Sequence, residues 1–532
     1  MAAALCSLRV QQPTFAGVAA RRRPATAAAA FTQRLAGLCR SGRRPSSRVC
    51  APIKAIAAPP EPPTTRQGEQ GGHPHRPADS PDDIVIVSAV RTPSTRARKG
   101  GLKDTPPDDL VVAVLREALH RAGIKADEVG DVCLGSVFPP SSKRANEVRT
   151  ALLLAGFPNS VPAYTVNRQC AAGLQAIANV AANIRAGYFD IGIAGGIEHL
   201  TKDPLDWKGS DNPRLLESQD AQDVGLTLGL TAENVAERFG VPREVQDHFA
   251  AASHAKAAAA QASGKFKEEI VAVEALSTDP KTGATRRVPV DADDGIRPDS
   301  TQDKLGALKP YFKKQGTVTV GNACQNTDCA AAVVLMRRED AQRRGLPVMA
   351  TLRSFAAVGV PPGVMGTAPS VAIPKALARA GLSKDDVEVY ELNEAFASQF
   401  AYCMRELGLP EDKVNPCGGA IALGHPAGAT GARQTVTLLH ELARRIRSSS
   451  SGSQSSGSLG SVDDKAPHYG VVSMCTGSGM GAAAVFESSS GSLNGSSLGS
   501  SSSMASTASQ DRPAEASTAS QDRPGEASVE AA

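Results

Sequence analysis

Alternating strand and helix patterns constrain the fold of this chain more than any other feature of its sequence. Asp83–Val90 is a short apolar run rich in β-branched residues, which is typical of a buried strand. Apolar residues at helical spacing follow over Asp108–Gly123. The alternation continues with a strand at Asp131–Phe138, a helix at Leu174–Ala186 and a strand at Asp190–Gly195. Because helical crossovers join parallel strands, this pattern predicts a mostly parallel α/β sheet covered on both faces.

The pattern changes between about residue 200 and residue 318. Polar loops, an Ala-rich helix at Val245–Ser263 and a turn-rich patch at Asp291–Asp303 indicate a lobe inserted into the first α/β unit. The strand pattern returns at Thr317–Leu335. A second unit then includes segments at Met349–Val358, Val371–Ala380, Val387–Leu392, a helix after Asn393, and His468–Phe486.

Both ends of the chain depart from globular composition. Residues 1–60 contain nine Arg, one Lys and no acidic residue. Such an Ala/Ser-rich, acid-free segment is typical of an organelle transit peptide, with a disordered basic tail as the alternative. This segment and the Pro/Gly-rich linker that follows it make up residues 1–82, which are predicted to lie outside the fold. The Ser-rich segment 448–462 is predicted to be a solvent loop, and 488–532, with its 11-residue repeat, a disordered tail.

Charge and cysteine usage exclude several classes of function. Of the formal charge of +4, residues 1–60 contribute +10, which leaves −6 for the remainder. The basic balance therefore does not predict nucleic-acid binding. No apolar run approaches the roughly 18 residues of a membrane-spanning helix, so no membrane span is expected. The ten cysteines lack paired zinc-like spacing, and the seven outside the presequence are expected to be thiols, with no metal site.

The first motif that carries chemistry is Val-Asn-Arg-Gln-Cys-Ala-Ala-Gly-Leu, at residues 166–174. It places Cys170 where a loop enters an amphipathic helix. A helix N-terminus presents free N–H groups and partial positive charge, and both stabilise a thiolate. Cys170 is therefore a candidate nucleophile with a depressed pKa. A buried, inert cysteine is the alternative for this motif taken alone.

Two further motifs are rich in glycine. Gly-His-Pro-Ala-Gly-Ala-Thr-Gly, at 424–431, surrounds His425 with residues that allow close backbone approach. A histidine with a near-neutral pKa is suited to accept a thiol proton. Cys-Thr-Gly-Ser-Gly-Met-Gly, at 475–481, follows a predicted strand, and its small residues leave Cys475 accessible to a substrate and to a second thiol.

With Asn-Glu-Ala-Phe-Ala at 393–397, these motifs resemble those of the thiolases, and specifically of the 3-ketoacyl-CoA thiolases. The similarity runs from about residue 83 to about 487. It implies an α/β thiolase fold with two similar βαβ-rich halves, 83–345 and 346–487, whose stacked mixed sheets enclose a helical layer. The inserted lobe at about 200–318 matches the loop domain with which thiolases cover CoA.

The resemblance also implies an acetyl-CoA C-acyltransferase with assigned roles. Cys170 is the acyl-accepting nucleophile, His425 is the base that activates it, and Cys475 exchanges a proton with the α-carbon of acetyl-CoA. Asn393 is expected to hold a water that, with His425, polarises the thioester oxygen. The backbone N–H groups of Cys170 and Gly477 are expected to form a second oxyanion hole.

Substrate contacts follow from the resemblance at two further positions. Arg297 matches a position near the CoA adenine, with a solvated surface arginine as the alternative. Cys324 replaces the serine that usually faces the pantetheine arm, and Cys329 replaces a usual glycine. Coenzyme A is the expected co-substrate, with no tightly bound cofactor and no metal, and relatives imply a homodimer.

The sequence leaves alternatives for the direction of the reaction, for catalytic activity and for the organelle in which the protein is found. The same residues support acetoacetyl-CoA C-acetyltransferase activity in the condensation direction, and a non-catalytic acyl-CoA-binding protein is an alternative of another class. The presequence favours a plastid or mitochondrion, whereas family resemblance favours the peroxisome. Arg34-Leu35 is followed by Ser41-Gly42 where a peroxisomal signal has His-Leu, and the chain ends without a Ser-Lys-Leu type signal.

Overall fold

The computed structural model describes residues 79–452 and 466–488. The predicted transit peptide, nearly all of the linker, and the Ser-rich tail beyond Ser488 lie outside these residues. In the described ranges, no helix combines the length and apolarity needed to cross a bilayer.

The described strands and helices alternate along most of the chain. The strands are β1 Ile84–Arg91, β2 Thr95–Arg96, β3 Asp131–Gly135, β4 Ala163–Val166, β5 Ile191–His199, β6 Val273–Thr278, β7 Thr285–Val290, β8 Thr327–Arg337, β9 Ala350–Gly359, β10 Val387–Leu392, β11 His468–Thr476 and β12 Met480–Ser488. The helices are α1 Pro107–Ala122, α2 Lys143–Ala155, α3 Ala172–Arg185, α4 Gln219–Asp223, α5 Leu228–Arg238, α6 Arg243–Ala262, α7 Gln302–Gly306, α8 Arg338–Arg343, α9 Ala368–Ala380, α10 Ala397–Leu407, α11 Ala420–Leu423 and α12 Thr430–Gly452.

The main sheet is mixed, in the order β10-β11-β12-β9-β1-β8-β5-β3-β4, and β2 pairs with β8. Strand β3 is parallel to β4 and β5, and β10 is parallel to β11, whereas the other ladders of this sheet are antiparallel. The expectation of a mostly parallel sheet is therefore wrong. Parallel pairs form where a helix crosses between strands, but β12 follows β11 through a tight turn and β8 returns after the inserted lobe.

The two halves share one topology, as the resemblance implied. In the first half, strands in chain order β1, β3, β4, β5 and β8 lie in the order β4-β3-β5-β8-β1. In the second half the order is β10-β11-β12-β9, and Val414, bridged in parallel to Tyr390, takes the place that corresponds to β4. The halves join where β1 meets β9, through the pairs Val85–Thr351 and Ile86–Ala350.

The two halves pack in five layers, helix, sheet, helix, sheet and helix, with three buried apolar clusters between them. Helices α3 and α12 lie in the middle, and Ile177 and Val436 from these helices share one core with Val333 of β8 and Val472 of β11. Helices α1 and α2 cover the other face of the first half, while α9 and α10 cover that of the second half. The fold is thus the helical layer between stacked sheets that the resemblance implied.

Glycines allow the two central helices to touch at their first turns. A Cβ added to Gly173 would lie 2.9 Å from the backbone nitrogen of Ala432, and one added to Gly431 would lie 2.6 Å from that of Leu174. Real Cβ atoms do not come this close to backbone, so both positions require glycine. The contact brings together the loops that precede α3 and α12.

A buried ion pair fastens the inserted lobe to the sheet. Arg91, at the end of β1, is fully buried and donates to Glu269 Oε1 at 2.7 Å. It also donates to both carboxylate oxygens of Asp293, at 2.7 and 2.9 Å. Removing one partner of a buried pair typically costs about 3–5 kcal/mol, because the other charge is left unpaired. The lobe that contains Glu269 and Asp293 is therefore held firmly against β1.

Some element boundaries differ from those predicted. The strand predicted at Thr317–Leu335 begins only at Thr327, because Asn322 holds the preceding residues in a loop. Its side-chain oxygen accepts from the Thr319 N–H at 2.7 Å, and its amide donates to Asp247 at 2.9 Å. Helix α12 runs to Gly452, five residues into the predicted loop at 448–462. Residues 453–462 lie outside the described ranges.

We predict that Gly431→Ala lowers the stability of the protein by about 1–3 kcal/mol, because the new methyl group overpacks the contact between α3 and α12. Thermal unfolding of the purified variant measures this change. Gly306→Ala is the matched control, since a Cβ at Gly306 meets no atom within 4 Å. Equal melting temperatures for the two variants would contradict the close helix approach.

Candidate active site

A tight turn between β4 and α3 presents the thiol of Cys170. Gln169, immediately before it, has a φ of 49°, a left-handed conformation that is uncommon for residues other than glycine. Asn167 stabilises this conformation, because its side-chain oxygen accepts from the Gln169 N–H at 2.9 Å. Cys170 is partly exposed, whereas five of the other six described cysteines are buried. Local strain at this position accords with a functional site.

The backbone N–H groups of Gly477 and of Cys170 itself lie beside the Cys170 sulfur and favour its thiolate form. Burial nevertheless raises the pKa of the Cys170 thiol to about 11, and the Glu198 carboxylate also raises it, while the two N–H groups oppose the shift. The expectation of a depressed pKa is therefore wrong. Desolvation outweighs the donors at the helix N-terminus, so the free thiol is protonated near neutral pH.

His425 lies in the loop before α12 and is almost fully buried. Its Nδ1 is 2.6 Å from Thr430 Oγ1, and its backbone N–H donates to the Gln325 carbonyl at 2.7 Å. Burial lowers the pKa of His425 to about 4, and the positive charge of Arg433 lowers it further. The near-neutral pKa expected from the sequence is wrong. The imidazole is neutral at physiological pH, and Thr430 lies at Nδ1, so Nε2 is the ring nitrogen that this contact leaves available.

Cys475 stands at the end of β11, paired with Gly481 of β12, and is 1% exposed. Burial raises its pKa well above the ordinary thiol value, and charge on Cys170 and Cys324 raises it too. The Cys324 thiol, which is partly exposed, has a pKa raised to about 12 by burial and then by Cys170. Cys475 packs in one apolar cluster with Ala323, which directly precedes Cys324, so these two thiols lie on adjoining segments.

Asn393 directly follows strand β10 and is completely buried. Its backbone N–H donates to the Ser473 carbonyl at 2.9 Å, but neither polar atom of its side chain has a hydrogen-bond partner in the described protein. An unpaired buried amide costs about 1–3 kcal/mol. Such a group is suited to bind a water molecule or a substrate oxygen.

Two buried carboxylates connect the loops of the site. Glu198 accepts from the backbone N–H groups of Val137 and Gly428, both at 2.9 Å, and so links the first half to the loop of His425. Glu394 accepts from Ser253 Oγ at 2.6 Å and from Asn415 Nδ2 at 2.8 Å.

Sequence analysis assigned no role to Glu198, Glu394 or Thr430. An acidic residue inside an apolar strand pattern, as at Glu198, is a signal that could have found the first of these, because carboxylates are seldom fully buried without partners. Thr430 lies inside the quoted histidine motif, but only the folded structure shows that it holds His425.

The two predicted substrate contacts, Arg297 and Cys324, lie on adjoining loops, whereas Cys329, which replaces a usual glycine, lies in the core. The Arg297 guanidinium lies 3.4 Å from Gln325 Oε1, and Gln325 directly follows Cys324. Arg297 is exposed, as the alternative of a surface arginine predicts, and it lies beside the loop of Cys324. Cys329 is fully buried in β8, with its sulfur 3.8 Å from the Thr92 carbonyl, near Arg91. Cys329 therefore belongs to the core of the first half.

The fold, the two neighbouring thiols and the neutral imidazole define an acyl-transferring thiol enzyme. The sequence matches the thiolase N-terminal domain over residues 84–339 and the thiolase C-terminal domain over residues 346–462. The chain belongs to the thiolase family.

Individual relatives agree with this assignment. The chain is 52% identical over 406 residues to peroxisomal 3-ketoacyl-CoA thiolase 2 of Arabidopsis thaliana, covering 76% of this chain and 84% of that protein. It is 50% identical over 411 residues to peroxisomal 3-ketoacyl-CoA thiolase A of Mus musculus, covering 77% and 92%. The structure is similar to that of the dimeric peroxisomal thiolase of Saccharomyces cerevisiae, with a TM-score of 0.67 and 39% identity over 77% of this chain and 98% of the other.

We predict that alkylation of Cys170 by iodoacetamide accelerates about tenfold per pH unit from neutral pH toward the thiol pKa of about 11. The thiolate is the reactive form, and a raised pKa keeps its fraction small below that value. Mass spectrometry of the alkylated peptide follows the reaction. The Cys170→Ser variant measures the alkylation that occurs at Cys324 instead. A rate that levels off near the ordinary thiol pKa of about 8.5 would contradict the burial effect.

Proposed function

We propose that this chain is a 3-ketoacyl-CoA thiolase, an acetyl-CoA C-acyltransferase. It cleaves a 3-oxoacyl-CoA with coenzyme A into acetyl-CoA and a shortened acyl-CoA in fatty acid β-oxidation. The observation that carries the proposal is the Cys170 thiol on its strained turn, with the Gly477 backbone and the Cys475 thiol beside it. The names of the Arabidopsis and mouse relatives support the substrate class.

In the first half-reaction, His425 accepts the Cys170 proton as the sulfur attacks the 3-keto carbon. The N–H groups of Cys170 and Gly477, which lie beside the sulfur in the free enzyme, then donate to the oxyanion of the tetrahedral intermediate. Each such donor typically contributes about 3–4 kcal/mol to stabilisation of the transition state. The C2–C3 bond breaks, which leaves an acyl thioester on Cys170 and the enolate of acetyl-CoA.

Cys475 then protonates the α-carbon of the enolate and becomes a thiolate. Asn393, through a bound water, and the imidazolium of His425 stabilise the enolate oxygen until this transfer occurs. The unpaired buried amide of Asn393 supports this role. After acetyl-CoA leaves, coenzyme A enters with its thiol proton.

In the second half-reaction, the Cys475 thiolate accepts the proton of coenzyme A. The resulting CoA thiolate attacks the acyl thioester, and the Cys170 thiolate leaves. His425 returns its proton to Cys170, so every group regains its starting state. Coenzyme A serves as co-substrate, with Arg297 and Cys324 proposed as its contacts beside the site.

Assembly and location form part of the same proposal. The S. cerevisiae relative is dimeric. Strand β4 lies at the edge of the main sheet, and all four of its residues are partly exposed, so it offers an edge on which a second subunit can pair. We propose a homodimer in an organelle matrix. The Arg-rich N-terminus supports import by a presequence, and the peroxisomal relatives support the peroxisome as the alternative to a plastid or mitochondrion.

The proposal predicts thiolysis of 3-oxoacyl-CoA substrates over medium and long chain lengths, measured as substrate loss from acetoacetyl-CoA to 3-oxohexadecanoyl-CoA. Cys170→Ser is expected to lower kcat by about a thousandfold or more, because the acyl acceptor is lost. Cys475→Ala is expected to lose cleavage but to keep exchange of labelled coenzyme A into acetyl-CoA. Exchange transfers an acyl group without any proton transfer at the α-carbon, so His425 alone can pass the Cys170 proton to the departing coenzyme A and take it back.

Three outcomes would change the assignment. Turnover of acetoacetyl-CoA alone would identify an acetoacetyl-CoA C-acetyltransferase. Acyl-CoA binding without turnover would identify a carrier protein. Exchange abolished by Cys475→Ala, with an unchanged melting temperature, would contradict the separate roles of the two thiols.

A further inference from the structure

A single tryptophan lies directly on Gly477, the glycine whose backbone lies beside the Cys170 sulfur. Trp207 is the one tryptophan of the chain, in the inserted lobe. A Cβ added to Gly477 would lie 2.0 Å from Cη2 of the indole and 2.7 Å from Cζ3. The six-membered ring of Trp207 is therefore in contact with the backbone at Gly477.

The segment that carries Trp207 presents this residue inward. All residues from Pro204 to Asp211 except Trp207 are exposed. The side chains of Asp206 and Lys208 form an ion pair at 2.7 Å on the surface. Residues 204–211 make no backbone–backbone hydrogen bond to other described residues. Packing of the Trp207 ring, and not a hydrogen-bonded ladder, therefore accounts for the position of this residue at Gly477.

The indole N–H is the second observation. Trp207 Nε1 is buried and has no hydrogen-bond partner in the described part of the chain. Indole is a donor only, and a buried donor in a native protein is normally paired with protein, water or ligand. An acyl-CoA bound with its acyl group at Cys170 would bring carbonyl oxygens close to Gly477, and these are acceptors.

We propose that Trp207 is a positioning and specificity residue of the acyl-CoA site. Its ring forms a wall over the Gly477 backbone, and its N–H donates to a carbonyl oxygen of the bound acyl-CoA. The inference rests on the proposed function, because that function defines the ligand. The carbonyl belongs either to the acyl thioester or to an amide of the pantetheine arm.

Because Trp207 is the chain's one tryptophan, indole fluorescence reports on this contact directly. The test titrates the full chain carrying Cys170→Ser with decanoyl-CoA or with coenzyme A, with excitation at the red edge of the indole band. We expect decanoyl-CoA to shift or quench the emission. A response to coenzyme A as well assigns the acceptor to pantetheine, and a response to decanoyl-CoA alone assigns it to the thioester. Unchanged emission, while calorimetry shows the site filled, would overturn the proposal.

Kinetics separate contact with the ligand from a merely structural role. Trp207→Phe keeps an aromatic ring and loses the N–H, so we expect KM to rise about fivefold with little change in kcat. Trp207→Ala also removes the wall, and we expect it to weaken discrimination between chain lengths. Leu205→Ala is the matched control, since Leu205 is 42% exposed in the same segment.

Unchanged KM values in both tryptophan variants, or equal losses in the Leu205 control, would overturn the role. The emission test does not require turnover. Absence of thiolysis in the unaltered chain, accompanied by a normal emission response, would therefore refute the proposed function and leave the contact between Trp207 and acyl-CoA standing.

Discussion

The contact between the first turns of α3 and α12 is the interaction on which the rest of the site depends. Gly173 and Gly431 let the two helices meet backbone to backbone. The loops of Cys170 and His425 lead directly into these helices, so core packing sets the position of the thiol relative to the imidazole. Interiors pack densely and deform little. The reacting groups thus inherit the rigidity of the central layer, although both lie in loops.

Burial shifts the pKa values of Cys170 and His425 in opposite directions, and both shifts favour the neutral form of the side chain. It raises the pKa of Cys170 to about 11 and lowers that of His425 to about 4, so thiol and imidazole are both neutral before substrate binds. An ion pair in this dry site would pay a desolvation penalty that the neutral pair avoids. The N–H groups of Gly477 and Cys170 act against the pKa shift of Cys170 and favour negative charge on the sulfur.

The sequence predicted the positions of most strands and helices, but it did not predict which strands pair antiparallel. The strand at Val387–Leu392 was predicted to the residue, because buried strands and amphipathic helices carry distinct periodicities. Periodicity does not record that β8 returns antiparallel after a long insertion. Similarly, motifs indicated Cys170 and His425 as site residues but gave the wrong pKa shifts. Those shifts depend on desolvation by segments far away in the chain, and the position of Trp207 depends on packing that no motif encodes.

The matched topology of the halves has a consequence for how the site is divided. Cys170 precedes the helix that follows β4, and His425 precedes the helix that follows Val414, which occupies the position equivalent to β4. The thiol and the imidazole therefore occupy corresponding loops of two repeats related by approximate internal symmetry. A perfectly symmetric pair of identical halves would present two thiols or two imidazoles at this junction. The two repeats must therefore differ in sequence for a thiol and an imidazole to meet here. Neither repeat contains both Cys170 and His425.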